Sequence, residues 1–148
     1  MSTRIQRSAV VSFSVEQMFG LVNDVEAYPE FLPHCRRARV LERGEQEIKA
    51  RIELAKGALH KSFTTLNRLE APNRIEMQLV DGPFRRLHGA WQFIDLGAGK
   101  TRVMLDLEFE FSNRLVALAL GPIFNQLANS LVDAFVGRAR AKHGVVGV

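Results

Sequence analysis

Residues 102–142 read RVMLDLEFEFSNRLVALALGPIFNQLANSLVDAFVGRARAK, and their hydrophobic period changes near residue 112. Before that point apolar and polar side chains alternate, which predicts a strand with one buried and one solvated face. After it, apolar residues recur at i, i+3 and i+4, which predicts a helix over about residues 113–142. The Gly121-Pro122 pair inside this pattern predicts a kink or a break. A strand that leads directly into a long amphipathic helix therefore closes the chain.

The period is also two upstream of this helix, over residues 36–111, where turn signals divide the chain into six strands. The turn signals lie at residues 43–45, 56–57, 71–73, 81–83 and 97–99. Connections this short join antiparallel neighbours, because a parallel crossover needs about a dozen residues or more. The sequence therefore predicts one antiparallel sheet in this region.

The first 35 residues are predicted to contribute one strand and two short helices. Ile5, Ala9 and Val11 lie on one side of the strand, and Ser14 with Gln17 has the form of a capping box at the start of the first helix. The second helix, after Asp24, must be short because its segment holds two prolines. The predicted fold is α+β: a curved seven-stranded antiparallel sheet wrapped around the long C-terminal helix, which is the only large element able to cover it.

The composition is that of an ordinary globular protein, and its 148 residues (16.6 kDa) predict a single domain over 1–148. One cysteine, Cys35, excludes an internal disulfide framework and a multi-cysteine zinc site. The 15 arginines and 5 lysines against 16 acidic residues permit an anionic partner, such as RNA or a phospholipid surface, or simply keep the protein soluble. The longest unbroken apolar run, residues 115–120, and the polar start of the chain predict a cytoplasmic protein with no transmembrane segment.

Residues that could carry catalysis are few and poorly placed. His34 and Cys35 are adjacent, so their side chains diverge on an extended chain and do not form a nucleophile–base pair. His60 and His88 fall at polar strand positions, where a solvated histidine is expected. The short motifs of zinc proteases, serine hydrolases and nucleotide-binding proteins are absent from the sequence. We therefore predict no catalytic site and no metal site.

The sheet and its covering helix are predicted to enclose a dry apolar cavity, because a curved sheet that grips one helix often leaves space between them. A core filled by the same side chains is the alternative. The predicted lining residues are Phe63, Trp91, Phe93, Leu105, Phe109, Ile123, Phe124 and Leu127.

Two segments are hard to explain by packing alone. Residues 24–35 concentrate two prolines, a phenylalanine, the cysteine and the only tyrosine in a short stretch without strand pattern. Residues 81–87 form a predicted turn with an exposed aromatic side chain, Phe84, and two arginines. The turn is either a solvated hairpin or a loop that touches an anionic or lipid-like partner.

The same segments resemble a known family. Residues 22–35, VNDVEAYPEFLPHC, resemble the hallmark segment of a START-like family within the polyketide cyclase/dehydrase superfamily. DGPF at residues 81–84 is similar to its second motif, while EFSN at 110–113 and DAFVGRA at 133–139 are similar to its last strand and the end of its closing helix. The family includes coenzyme Q-binding proteins and bacterial ribosome-association toxins. His34 departs from the pattern, since tryptophan or glycine is common there.

The resemblance implies a helix-grip fold and a non-enzymatic protein without a cofactor. It first implies binding of a polyprenyl quinone such as ubiquinone, or of another lipid, in the cavity, in support of respiration and with a peripheral contact at the inner face of the membrane. The expected cavity mouth consists of Asp24, Tyr28, Pro29, Phe31, Leu32, Pro33, Cys35, Asp81, Gly82, Pro83 and Phe84.

The alternative is a toxin that binds the large (50S) ribosomal subunit, blocks its association with the small subunit and inhibits translation initiation. The basic residues that could contact ribosomal RNA or another anionic surface are Arg36, Arg37, Arg39, Arg85 and Arg86. A small hydrolase or cyclase is a third reading, and it would need an acid inside the cavity.

Overall fold

The computed structural model describes residues 2–144, which form one antiparallel sheet with helices against it. The order of elements along the chain is the predicted one: a strand, two short helices, six strands and a long helix. The elements are β1 (Thr3–Val11), α1 (Val15–Asn23), a 3-10 helix (Val25–Glu30), β2 (Cys35–Arg43), β3 (Glu47–Lys56), β4 (Leu59–Glu70), β5 (Arg74–Asp81), β6 (Phe84–Gly97), β7 (Lys100–Phe111) and α2 (Arg114–His143).

The seven strands lie in the order β1-β7-β6-β5-β4-β3-β2, and every neighbouring pair is antiparallel. The first strand closes against the last, with Ile5 opposite Leu107, so β1 and β2 are the two edges. Alternate side chains of β7 are buried on the face that the helices cover, which we call the inner face. The predicted fold class is confirmed.

The first helix begins as the sequence predicts. The Ser14 hydroxyl accepts a hydrogen bond from the backbone N–H of Gln17 (3.1 Å), and the Gln17 side chain accepts one from the N–H of Ser14 (2.9 Å). This capping box satisfies two backbone donors that a helix start leaves unpaired. It directs α1 along the inner face, where Met18 and Val22 are buried.

The closing helix runs without interruption through Pro122, so the predicted break is wrong, while the kink that was its alternative stays a prediction. Pro122 is exposed, and the carbonyl four residues before it, at Leu118, lies on the same solvated side. Water can therefore replace the hydrogen bond that proline cannot donate. The side of α2 that faces the sheet is buried through Leu120, Gly121, Ile123, Phe124, Leu127, Ala128, Val132, Phe135, Val136 and Ala139.

By length and composition alone, α2 could also cross a membrane, with a mean hydropathy of 1.5 over its most apolar stretch. This property was not predicted from the sequence, because the longest unbroken apolar run of the helix covers only residues 115–120. The core helix of a globular protein meets the same criterion, and α2 packs its apolar side against the sheet.

Candidate ligand cavity and basic surface

A small apolar cavity of about 90 Å³ lies between the sheet and α2. Two polar side chains of β4, Thr65 and Asn67, stand in its otherwise apolar wall, and the Thr65 hydroxyl donates to the Asn67 side-chain oxygen (2.8 Å). The lining residues are Val25, Tyr28, Leu32, Ala50, Ile52, Phe63, Thr65, Asn67, Met77, Leu87, Trp91, Leu107, Phe124, Leu127, Ala128, Leu131 and Phe135.

Half of the predicted lining residues reach this cavity, namely Phe63, Trp91, Phe124 and Leu127. The other four, Phe93, Leu105, Phe109 and Ile123, are buried in the packed core away from its wall. Phe93 packs edge-on against Phe19 of α1, at 6.0 Å between ring centroids. The Phe109 ring packs edge-on against Phe124, at 4.7 Å between ring centroids. None of these four side chains therefore forms part of the wall.

The segment that the sequence assigns to the cavity mouth instead folds over the cavity as a wall. Tyr28 and Leu32 line the space, and the Tyr28 hydroxyl donates a hydrogen bond to the carbonyl of Val22. Burial raises the pKa of Tyr28 well above its usual value, so the phenol stays neutral at physiological pH. Asp24 occupies the N-cap of the 3-10 helix without a side-chain cap bond, and Pro29 lies inside that helix.

An aromatic and ionic clasp holds this 3-10 helix on α2. The Phe31 ring packs edge-on against Phe135 (5.1 Å between centroids), and the Arg138 guanidinium lies 4.9 Å from the centre of the Phe31 ring. Arg138 also binds the Glu30 carboxylate at 2.8 Å. Together these contacts keep the cavity closed on this side. Pro33 is half-buried and lies between the 3-10 helix and β2.

Cys35 is buried at the start of β2 and takes no part in the cavity wall. Burial raises the pKa of its thiol to about 11, so the nucleophilic thiolate is scarce at neutral pH. The adjacent His34 contacts Gln126 of α2 at 2.8 Å instead of the thiol. The two residues therefore do not form a nucleophile–base pair.

The turn at residues 81–84 is packed, and the prediction of an exposed Phe84 is wrong. Phe84 is only 6% exposed and stacks on Phe111, at 5.2 Å between centroids. Gly82 has φ +148°, and a Cβ there would lie 2.6 Å from the Cβ of Phe63, so the turn needs glycine. The Pro83 carbonyl accepts from the N–H of Ser112, while Asp81 is exposed. This turn closes the end of the core next to the start of α2.

The five arginines of the predicted anionic surface separate into two groups. Arg85 and Arg86 of β6 are paired with Glu110 (3.3 Å) and Glu108 (3.6 Å) of β7. The remaining three lie on β2 at the opposite edge region of the sheet: Arg36, Arg37 and Arg39.

Within the β2 group, only Arg36 has a side-chain partner among residues 2–144. It contacts Glu53 (3.8 Å) and His60 (3.0 Å), whereas the side chains of Arg37 and Arg39 have no ion pair or hydrogen bond. Arg51 of β3, which was not among the predicted residues, stands directly opposite Arg39. The alternating pattern of β3 places Arg51 on the solvated face. Only the strand register shows that Arg51 stands opposite Arg39.

A wide polar groove of about 780 Å³ runs over the outer face of β1, β7, β6 and β5. Cations and carboxylates are mixed in it: Arg4 binds Asp106 at 2.7 Å, and His88 lies 3.5 Å from Glu108. The hydrogen bond from Arg4 lowers the pKa of Asp106, which is therefore ionised at neutral pH. Since its charges balance, this groove does not favour a strongly anionic or cationic ligand.

Over the described part of the chain, no three His, Cys, Asp or Glu side chains are grouped closely enough to hold a metal ion. None of the residues from 2 to 144 that line the cavity carries a carboxylate or an imidazole. The arrangement offers an apolar space and an arginine-rich surface, and both are suited to binding.

Curated proteins of similar sequence cover nearly the whole chain. A ribosome association toxin RatA of Pseudomonas aeruginosa is 49% identical over 97% of this chain and 100% of its own length. The RatA of Escherichia coli K12 is 44% identical, over 93% of this chain and 87% of its own length. A mitochondrial coenzyme Q-binding protein COQ10 of Drosophila melanogaster is 26% identical, over 93% of this chain and 59% of its own length.

Solved structures share the fold. The Zhui aromatase/cyclase of Streptomyces sp. R1128 superposes with a TM-score of 0.82 over 100% of both chains at 16% identity, which shows the fold alone. An 18 kDa protein of Caulobacter crescentus gives a TM-score of 0.73 at 30% identity, over 97% of this chain and 99% of its own. The family described as polyketide cyclase / dehydrase and lipid transport matches residues 11–136. These sequence and structural similarities show that the chain belongs to this START-like family.

Proposed function

We propose that this protein associates with the ribosome, as the name of its RatA relatives describes, and that it thereby inhibits translation. The observation that carries the proposal is the 49% identity to a RatA over 97% of the chain. The resemblance in the sequence motifs further suggests the large subunit as the target. Such a protein acts in the cytoplasm, by binding rather than catalysis, and needs no cofactor.

The outer surface of β2 and β3 supports this proposal. Arg37 and Arg39 project from an edge strand without partners among residues 2–144, and Arg51 adds a third guanidinium beside them. Ribosomal RNA is a dense array of phosphates, and the arginine fork matches phosphate geometry. Binding of this kind is salt-sensitive because it releases counterions from the RNA.

Sedimentation with purified ribosomal subunits tests the proposal. At low salt the protein should travel with the large subunit through a sucrose gradient, and it should return to the top as the salt concentration rises. An excess of protein should also reduce the yield of joined ribosomes from mixed subunits. A protein that remains at the top of the gradient at every salt concentration would contradict ribosome association.

Binding of a quinone-like lipid is the second candidate, and the apolar cavity favours it. A volume of about 90 Å³ is smaller than the cavity of about 150 Å³ that holds benzene in an engineered protein. A quinone with an isoprenoid tail therefore fits only if the 3-10 helix (Val25–Glu30) moves away from α2. This requirement is why we place ribosome association first.

Native mass spectrometry of the freshly purified protein, with extraction of any bound lipid, tests this candidate. The variant Ala128→Leu should fill the cavity and abolish lipid retention, whereas Ala141→Leu on the exposed side of α2 should not. Equal lipid retention in both variants would show that the lipid binds elsewhere.

A peripheral membrane contact belongs to this second candidate. Its support is the exposed start of α2, where Leu115 and Leu118 are 79% and 70% accessible. Flotation with anionic vesicles should be lost in a Leu115→Gln/Leu118→Gln variant if these side chains insert into lipid. Flotation that is unchanged in that variant would exclude this mode of contact.

A further inference from the structure

The outer face of β2 and β3 carries an unusual concentration of positive charge. The strand pairing is irregular between Cys35 and Arg37, so that Cys35 and Ala38 are both buried while Arg36 and Arg37 are both exposed. A regular strand would turn one of these two arginines inward. The irregularity therefore presents two neighbouring guanidinium groups to solvent.

Arg39 and Arg51 are direct partners across the β2–β3 pair. Side chains in such positions point to the same face and lie close together, and like charges there destabilise a sheet. The only hydrogen bond of the Arg51 side chain within residues 2–144 is to the hydroxyl of Ser62 (3.0 Å), which is neutral. Within residues 2–144, neither arginine forms an ion pair with a carboxylate.

The acidic residues of this face are already paired. Glu53, which stands opposite Arg37 in the strand pairing, contacts Arg36 instead, and Glu42 contacts Lys49 (3.2 Å). Among residues 2–144, the side chains of Arg37, Arg39 and Arg51 therefore form no ion pair with a carboxylate. A further carboxylate, Glu26, lies at the edge of β2, where it accepts from the backbone N–H of Val40 (3.3 Å). By contrast, Arg85 and Arg86 have carboxylates within 4 Å, at Glu110 and Glu108.

We propose that Arg37, Arg39 and Arg51, which we call the β2–β3 arginine group, bind the phosphate backbone of an RNA helix. The inference rests on the proposed ribosome association and specifies the surface that makes it. Each of the three fork-shaped cations can bind phosphate oxygens, and an anion between Arg39 and Arg51 relieves their repulsion. Such a contact depends on the shape and charge of the RNA backbone and does not distinguish one base from another.

The test compares two double variants that remove the same net charge. Arg39→Gln/Arg51→Gln removes the two directly opposed cations of the group, and Arg140→Gln/Lys142→Gln removes two exposed cations near the end of α2. Each protein is titrated into a fluorescently labelled RNA duplex over a series of salt concentrations, and is also sedimented with large ribosomal subunits. Circular dichroism and the unfolding midpoint check that each variant is folded.

The proposal predicts that Arg39→Gln/Arg51→Gln weakens duplex binding by about tenfold at low salt. It should also reduce the slope of log K against log salt by about two, one for each lost phosphate contact. The control variant should keep the wild-type slope. Equal losses in both variants, or no loss in either, would overturn the arginine group as the RNA surface and leave the arginines as protection of an exposed sheet edge.

The two assays separate this inference from the proposed function. Subunit binding that survives the Arg39→Gln/Arg51→Gln change overturns the arginine group while ribosome association stands. Duplex binding that depends on the group, in a protein that never sediments with subunits, supports the RNA surface and removes ribosome association. Failure of the wild-type protein to bind either RNA or subunits overturns both.

Discussion

Replacement of Gly89 by alanine should weaken the contact between two neighbouring interior strands of the sheet, β6 and β7. Gly89 of β6 lies opposite Leu107 of β7, and an added Cβ would stand 2.9 Å from the Leu107 Cα, against at least 3.4 Å in an ordinary contact. It would lie closer still to the carbonyl oxygen of Asp106. Since both neighbours are backbone atoms, no side-chain rotation relieves the overlap, and the strands must separate.

The cost follows from that separation. Overpacking of this kind costs about 1–3 kcal/mol. Weakening of a neighbouring ladder hydrogen bond adds about 1 kcal/mol. The free energy of unfolding should therefore fall by about 2–4 kcal/mol, a large part of the total for a domain of this size. The melting temperature should drop by about 5–15 °C.

Urea unfolding followed by fluorescence and circular dichroism measures this change. Trp91 is the only tryptophan and is 2% exposed, so its emission reports the loss of the core two residues from the substitution. Gly20→Ala in α1 and Gly137→Ala in α2 are matched controls, because a Cβ at either site meets nothing within 4 Å. Both should stabilise the protein by up to about 1 kcal/mol. A Gly89→Ala midpoint equal to the wild type would refute the close-approach argument.

Three further changes test the electrostatics. Burial raises the pKa of the Cys35 thiol from 9.0 to about 11, so the folded protein disfavours the thiolate. The free energy of unfolding should therefore fall between pH 9 and 11. Cys35→Ala should remove that part of the decline in urea titrations, and an unchanged pH profile would contradict it. Arg51→Gln should raise stability by about 0.2–1 kcal/mol by relieving repulsion with Arg39, and a loss would contradict this. Arg138→Ala should lower the free energy of unfolding by about 1–2 kcal/mol, because it removes the contacts with Glu30 and Phe31. It should also speed hydrogen exchange in the 3-10 helix, and unchanged exchange would show that these contacts do not hold that helix in place.

The topology could be predicted from the sequence because each of its signals is local. Alternation in β7, the capping box at Ser14 and the glycine- and proline-containing turns act over a few residues. Short connections then leave antiparallel pairing as the only geometry. A break was predicted at Pro122 because the sequence shows that a helix loses a hydrogen bond there. The sequence does not show that this position faces water, which allows the helix to continue.

The site was harder to predict because strand irregularities change which face a residue occupies. Phe84 would point outward with Arg86 if β6 were regular, but the pairing shifts between these two residues and turns Phe84 into the core. The irregularity in β2 similarly places Cys35 inside and two arginines outside. Such shifts carry no clear signal in a single sequence.

Only half of the predicted lining residues line the cavity, because a local pattern does not show how the elements pack against one another. Alternation correctly placed Phe93 and Phe109 on the inner face, but it does not say where along a strand each helix crosses. Phe93 lies under α1 at Phe19, outside the cavity. Tyr28 was expected at the mouth, whereas the 3-10 helix folds it into the wall, a long-range contact that no local pattern contains.

The two proposed activities use opposite faces of the same strand. In β3, Ala50 and Ile52 line the cavity, while Arg51 between them points to the outer face beside Arg39. A ligand that widened the cavity would press on β3 from within and alter the spacing of the arginine group outside. The Ala128→Leu variant separates the alternatives, because it fills the cavity from α2 without touching β3's outer face. If its RNA affinity equals that of the wild type, the two surfaces are independent; if the affinity changes, the packed β3 strand transmits the state of the cavity to the RNA surface.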